Sequence, residues 1–353
     1  LFDLAIIGAG PAGATLARLT APYHKVLLLE TRDLEKAGYG SDKCCGGLLA
    51  PDAQQALAEL GLGLPKNILV GPQLFAVRTI DLDNGLERYY QRHYINMDRG
   101  AFDRWLVSLI PRSADVRHGC RLIGLERTKG GVRVRYVRKG RENTEESRIL
   151  VGADGAGSMV RKLAFPDRPW PRRYVSIQAW FESQAPPYFS SIFDRSVTDF
   201  YSWTIPKEDR LVVGTAVPLG QDPAGRFELM LSKLRDKGYA LGKPLRKHGA
   251  FILRPGRLSE ITTGNERVAL VGEAAGWISP SSAEGISYAF RSAAALAGAL
   301  REDAADTVRG YYRRTRKLRS NILCKIAKSP FMYSPFPRKL VMRSGVGSLR
   351  MSG

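Results

Sequence analysis

Long apolar runs are missing from this sequence. No stretch approaches the ~18 uncharged apolar residues a membrane-spanning helix requires. The most apolar segment, Val268–Ala283, is broken by Gly272, Glu273, Gly276 and Pro280, so a polytopic membrane protein is excluded. Cysteine is scarce. Cys44, Cys45, Cys120 and Cys324 fit neither a zinc-ligand spacing nor a disulfide framework, which points to a reducing, cytoplasmic compartment. No basic n-region precedes the first apolar strand, so no secretory leader is expected. Internal repeats and low-complexity tracts are absent too. Acidic residues are missing from Thr307 to Gly353, where twelve Lys or Arg occur. What is present is 353 residues, 44% hydrophobic and 25% charged, the profile of a globular chain of about two domains rather than a disordered one. The net charge is +20, and more than half of it sits in that acid-free stretch. This asymmetry suggests an anionic partner for the C-terminal segment.

The N-terminus reads as a strand (Asp3–Ile7), a glycine-rich turn (Gly8-Ala9-Gly10-Pro11-Ala12-Gly13), a helix, and a second strand from Lys25 ending at Glu30. Each piece suits a dinucleotide. Gly8 permits the tight turn, Gly10 lets backbone approach a pyrophosphate, and Gly13 lets helix and strand pack closely. The helix N-terminus offers N–H groups to phosphate, and Glu30 can accept hydrogen bonds from ribose hydroxyls. Two further strands end in turns with an acid beside glycine: Ile149–Val151 into Gly152-Ala153-Asp154-Gly155, and Arg267–Val271 into Gly272-Glu273-Ala274-Ala275-Gly276. The second leads through Gly285 into a helix beginning at Ile286.

These three motifs, in order and separation, resemble the fingerprints of FAD enzymes with the para-hydroxybenzoate hydroxylase fold. The segment Arg99-Gly100-Ala101-Phe102-Asp103-Arg104-Trp105-Leu106 is similar to that superfamily's Arg-x-x-Phe-Asp-x-x-Leu. The resemblance implies that Arg99 lies near the flavin's phosphate and ribityl region. It implies that Asp154 approaches FAD and the second cosubstrate, and that Glu273 stands where the superfamily usually has the Asp that holds the ribityl chain. Cys44-Cys45-Gly46-Gly47-Leu48-Leu49-Ala50-Pro51 resembles the Cys-Gly-Gly loop of the geranylgeranyl reductase family of FAD-dependent oxidoreductases. In that family the loop passes near the isoalloxazine ring. Tyr201-Ser202-Trp203-Thr204-Ile205-Pro206 is similar to the same family's Tyr-x-Trp-x-Phe-Pro strand. Its period-two alternation puts Tyr201, Trp203 and Ile205 on one face. It is also similar to the Trp-x-Trp-x-Ile-Pro strand of flavin-dependent halogenases. Over nearly its full length, through Cys45–Gln54, Gly152–Ala156, Tyr201–Trp203, Gly272–Gly276 and Glu284–Ala289, the chain resembles a reductase-like subgroup linked to colicin M resistance in enteric bacteria.

The expected fold is α/β: a Rossmann-like FAD-binding domain (1–72, 95–172, 255–305) interleaved with an antiparallel-sheet substrate domain (73–94, 173–254). A basic helical segment, 306–353, follows. In that segment Tyr311, Leu318, Ile322 and Ile326 can line one side of a helix with Arg313, Arg314, Lys317 and Lys325 around it. That pattern suits an anionic membrane surface at the inner face of the cytoplasmic membrane, or packing on the protein's own core. No nucleic-acid recognition motif is present. The resemblance implies reduction of carbon–carbon double bonds in an isoprenoid or other hydrophobic substrate. Cys45 would be the first candidate for the proton donor and a water held by the glycine-rich loops the second, Tyr201 and Trp203 would shape an apolar cavity, and NAD(P)H or another reduced carrier would supply electrons. The alternatives are a monooxygenase or halogenase acting on an aromatic or polyketide-like compound, and a non-catalytic FAD-binding protein at the membrane.

Overall fold

A computed structural model of the chain describes residues 1–34, 45–183, 185–302 and 306–350. Cys44 lies outside them. The described residues divide into two compact units, each assembled from separated stretches of sequence. The first comprises 1–34, 102–171 and 253–325, and the second 45–101, 172–252 and 326–350.

The first unit is built on a sheet of eight described strands. Its spine is the parallel set Val26–Leu29, Phe2–Ile7, Arg141–Gly152 and Val268–Leu270, in that spatial order. Their centres are near-continuous Val, Leu, Ile and Ala, as strands covered on both faces must be. The helices Pro11–Thr20 and Ile286–Glu302 bury Leu16, Ala17, Ala293, Leu296 and Ala297 in one cluster with Leu4, Ile6, Val26, Leu28 and Val151. An antiparallel meander, Cys120–Arg127, Val132–Arg138 and Arg141–Gly152, extends the sheet.

The second unit carries nine described strands in one sheet. The pairs Leu74–Asp81 with Leu86–Asn96, Arg172–Glu182 with Arg210–Pro218, and Ser202–Lys207 with Arg210–Pro218 are antiparallel. One pair departs from the antiparallel expectation: Phe189–Phe193 runs parallel to Leu74–Asp81. More than a hundred residues connect them, ample for the crossover that parallel pairing needs. The helix Pro223–Asp236 covers this sheet with Phe227, Met230 and Leu234, against Phe181, Ile192 and Val213.

The basic segment folds into three helices, Thr307–Arg314, Arg316–Tyr333 and Pro335–Ser344. It divides between the units after residue 325. The stripe expected on one helix is divided between the first two of these helices, and of its two readings the packing one fits most of it: Tyr311 and Ile322 are fully buried and Leu318 nearly so, while Ile326 is half-buried. The Tyr311 hydroxyl donates to Leu270 O and accepts from Trp277 Nε1, both at 3.0 Å. An apolar stripe records that a helix has a dry side, not which apolar phase covers it.

Candidate functional site

In the first unit, the residues expected to bind the dinucleotide follow the carboxyl ends of four adjacent parallel strands. Gly8 follows Ile7, Glu30 follows Leu29, Ala153 and Asp154 follow Gly152, and Gly272 follows Leu270 and Val271. The carboxyl edge of a parallel sheet is where open α/β folds hold ligands. Gly8 has φ +102°, and a Cβ there would lie 2.6 Å from Ala153 O. The glycine-rich turn and the Asp154 loop are therefore in direct contact. The helix Pro11–Thr20 starts after Gly10 with no side chain capping it and with Pro11 at its first position. Its leading N–H groups, from Ala12 and Gly13, are left for an anion.

Glu30 is buried and already engaged. Its Oε2 accepts from Ala9 N at 2.7 Å, which ties the second strand to the glycine turn. Its Oε1 accepts from Arg32 N at 2.8 Å and Arg32 Nε at 3.0 Å. Burial alone would raise the carboxyl's pKa, but the bonds and charge of Arg32, with the Ala9 N–H, overcome this and hold it below the usual range. Arg32 also reaches the buried Asp103 at 2.9 Å. A ribose approaching Glu30 therefore meets an Arg32–Glu30–Asp103 cluster rather than a lone carboxylate. Nothing in the sequence pattern singled out Arg32.

Asp154 accepts from Ser158 Oγ at 2.5 Å, Met159 N at 2.7 Å and Val160 N at 3.1 Å. It thereby holds the start of the short helix Met159–Ala164 and fixes its own loop, including Gly155. Arg161 in that helix is fully buried. It donates to Ala274 O at 3.2 Å, and to Pro169 O and Glu260 O at 2.8 and 2.7 Å, with its guanidinium 4.6 Å from the Trp170 ring centroid. Arg161 thus straps the Asp154 loop to the Gly272–Ala275 turn. Glu273 Oε1 accepts from Leu253 N at 3.0 Å, and Gly272 N donates to Ser292 Oγ at 2.9 Å. Gly285 and Ile286 are half-buried at the head of the Ile286–Glu302 helix.

In the second unit, Cys45 is half-buried. Its sulfur accepts from Arg99 Nη1 at 3.3 Å and from Gly47 N at 3.5 Å. Arg99, anticipated near the flavin's ribityl region, here places a cation on the thiol. The Tyr201 and Trp203 rings are in tilted contact, centroids 5.5 Å apart and planes at 53°. Trp203 lies over Gly214 of the paired strand, and its buried Nε1 has no hydrogen-bond partner among the described residues.

The alternation that places Tyr201, Trp203 and Ile205 on one face reaches Lys207 two residues later. A Cβ on Gly46 would lie 2.4 Å from Ile205 Cδ1. Lys207, nearly fully buried, donates from Nζ to Asn96 Oδ1 at 2.6 Å, Met97 O at 2.8 Å and Gly47 O at 3.1 Å. Gly47 has φ +63°, and a Cβ there would collide with Met97 O and Lys207 Nζ. Burial drives the Lys207 pKa down to about 7, against the opposing pull of Cys45 and Asp98 and with a further push from Arg246. Three acceptors match the three hydrogens of an ammonium, so this lysine clamps the Cys-Gly-Gly loop. Sequence reasoning missed it, although its place on the aromatic face was a usable signal.

No family model matches the chain. Among curated proteins, Protein CbrA of Escherichia coli O9:H4 (strain HS) is 44% identical over 351 residues, covering 99% of this chain and 94% of that one. Protein CbrA of Shigella sonnei (strain Ss046) is likewise 44% identical, with coverages of 99% and 98%. Among solved structures, a geranylgeranyl bacteriochlorophyll reductase-like protein from Thermoplasma acidophilum superposes with TM-score 0.79 at 18% identity, covering 97% of this chain and 98% of that one. PqsL from Pseudomonas aeruginosa, a probable FAD-dependent monooxygenase, gives 0.70 at 20% identity with coverages of 97% and 98%. Klebsiella pneumoniae HpxO, complexed with FAD and uric acid, gives 0.69 at 20% identity with coverages of 97% and 92%.

Proposed function

Because the chain belongs to the CbrA family and shares the fold of FAD-dependent oxidoreductases, we propose that it binds FAD and reduces carbon–carbon double bonds of a polyprenyl lipid. The observation that carries the cofactor reading is the gathering of four loops at the carboxyl edge of one parallel sheet, around a glycine turn that admits no side chain. The turn Gly8, Gly10, Pro11, Ala12 and Gly13 would hold the pyrophosphate, and Glu30 with Arg32 would hold the adenosine ribose. Asp154, Gly155, Gly272, Glu273, Gly285 and Ile286 would hold the remainder.

FAD held by these residues would, in its reduced form, supply the hydride equivalent for one alkene carbon, since the cofactor carries the redox chemistry. In this reading Cys45 gives a proton to the other carbon. The guanidinium of Arg99, 3.3 Å from the sulfur, stabilises the thiolate left behind, and solvent restores its proton. Tyr201 and Trp203 offer ring faces to the isoprenoid chain. Lys207 holds the backbone of the Cys45 loop in place through Gly47 O. The glycine turn at Gly8–Gly13 is the one strand–GxGxxG–helix unit in the sequence, so the donor, NAD(P)H or another reduced carrier, docks transiently.

The test is anaerobic reoxidation of the photoreduced protein by a panel of polyprenyl lipids and planar aromatics. Purified protein should be yellow and release FAD on denaturation. Polyprenyl lipids should reoxidise it, and Cys45→Ala should slow that step by ~10²–10⁴-fold, the range for a lost general acid, while retaining FAD. Protein that takes up no FAD removes the cofactor reading. Reoxidation that requires oxygen and yields a hydroxylated aromatic replaces the reductase with a monooxygenase.

A further inference from the structure

The last helix, Pro335–Ser344, has two faces of different chemistry. Its inner face is fixed by Arg338 and Met342, one turn apart and both buried. The Arg338 guanidinium donates to both oxygens of Asp81 at 2.8 and 2.9 Å and to Asp83 Oδ2 at 2.6 Å. A third link runs from its Nη1 to Met332 O at 3.1 Å. Burial would raise the Asp81 pKa, but Arg338 and Asn84 overcome it and hold the carboxylate below its usual range. The helix is therefore locked in rotation about its own axis.

That lock determines what points outward. Phe336, Leu340 and Arg343, at i, i+4 and i+7, share the opposite side. Phe336 is 70% exposed, Leu340 56% and Val341 47%. Val346, just beyond the helix, is 77% exposed. Lys339 is half-buried at the edge of this face, and Arg343 is exposed. Large apolar side chains held in water beside cations are unfavourable for an isolated surface. From Thr307 onward no acid offsets those cations.

We propose that this face of the Pro335–Ser344 helix seats on an anionic lipid surface, with Phe336, Leu340 and Val341 entering the headgroup boundary and Lys339 and Arg343 meeting lipid phosphates. The apolar and basic groups together match an interfacial helix. A second copy of the chain would bring the same basic helix face, with no acid of its own, against itself. Nucleic acid would leave Leu340 and Val341 without a partner. No helix among the described residues is long and apolar enough to cross a membrane, so the contact is superficial. The proposal is independent of the flavin chemistry.

The full-length protein is sedimented with phosphatidylglycerol-containing vesicles and with pure phosphatidylcholine vesicles. Binding should favour the anionic vesicles and weaken as salt is raised. Phe336→Ser/Leu340→Ser should lower the partition coefficient at least tenfold, and Lys339→Glu/Arg343→Glu comparably, with the circular dichroism spectrum unchanged. As an independent readout, Leu340→Trp should shift its emission to the blue and be quenched by brominated lipid only with anionic vesicles. Equal binding by wild type and both double variants, or equal binding to both vesicle types, overturns the proposal. So does a wild-type dimer that the Phe336→Ser/Leu340→Ser variant converts to monomer, since the face would then be a subunit interface.

Discussion

Lys207→Met isolates what a buried ammonium does for the Cys-Gly-Gly loop. Methionine is unbranched and only one heavy atom shorter than lysine, so it fills most of the same space and the change is chiefly polar. Asn96 Oδ1, Met97 O and Gly47 O lose their shared donor; Gly47 O keeps the Met97 N–H at 2.9 Å, so the cost falls on the other two, at ~1–3 kcal/mol for each buried group left unpaired. Against this, wild type carries the cost of burying a cation. Its pKa falls from 10.5 to about 7, a shift of 10.5 − 7 = 3.5 units, or ~5 kcal/mol at 1.36 kcal/mol per unit. The two effects nearly cancel below neutral pH, so the pH slope is the decisive quantity. The unfolded chain keeps this proton up to pH 10.5, whereas the folded chain sheds it above about 7. Between those values the unfolded state binds more protons, and wild-type stability rises with pH by ~1.4 kcal/mol per unit. Below the folded value both states are protonated and the full cost persists. The methionine variant lacks the slope, so the stability of wild type over the variant should grow by ~4 kcal/mol between pH 7 and 10. Urea unfolding of both proteins, followed by tryptophan fluorescence across pH 6–10, measures this. Parallel stability curves would show that Lys207 is not buried as a cation against those three acceptors.

Gly8→Ala combines a φ of +102° with a Cβ 2.6 Å from Ala153 O. It should cost ~1–3 kcal/mol of strain and lower FAD affinity at least tenfold, read by fluorescence titration of apoprotein; unaltered affinity would place the dinucleotide elsewhere. Arg338→Met leaves Asp81, itself fully buried, without its cation. Losing one member of a buried pair should lower unfolding free energy by ~3–5 kcal/mol, and a loss under 1 kcal/mol in chemical denaturation would show that the pair is solvated.

The glycine-lined carboxyl edge of the first sheet was legible as structure because its signals are local. Gly8–Gly13, the run into Asp154 and the run into Glu273 each compress a strand end and a turn into about ten residues, and strand order then brings them together. Lys207 was not legible as a clamp because its acceptors lie at residues 47, 96 and 97, over a hundred positions away. A lone cation near a strand end ordinarily reads as solvated. Glu30 was legible as an acceptor and Arg32 stands only two residues on, but the third member of the cluster, Asp103, lies about seventy residues further along and meets Arg32 only in the fold. The basic segment shows the opposite limit. Its apolar residues were read correctly as apolar, yet Tyr311, Leu318 and Ile322, on two successive helices, are buried, while the outward patch at Phe336 and Leu340 depends on the Arg338 lock. Cys44 lies outside the described residues, so only Cys45 of the pair can be related to Arg99 and Gly47.

The threading of the first sheet bears on how the chain is made. Phe2–Ile7 is made well before its neighbour Arg141–Gly152, which follows some 140 residues later, and Val268–Leu270 must still join the outer edge. Such distant pairings close slowly, and the earlier strand waits with an open edge, the species most prone to mispairing during synthesis. A nascent chain stopped before residue 270 cannot complete the spine. Premature termination should therefore yield material for proteolysis rather than a smaller working protein.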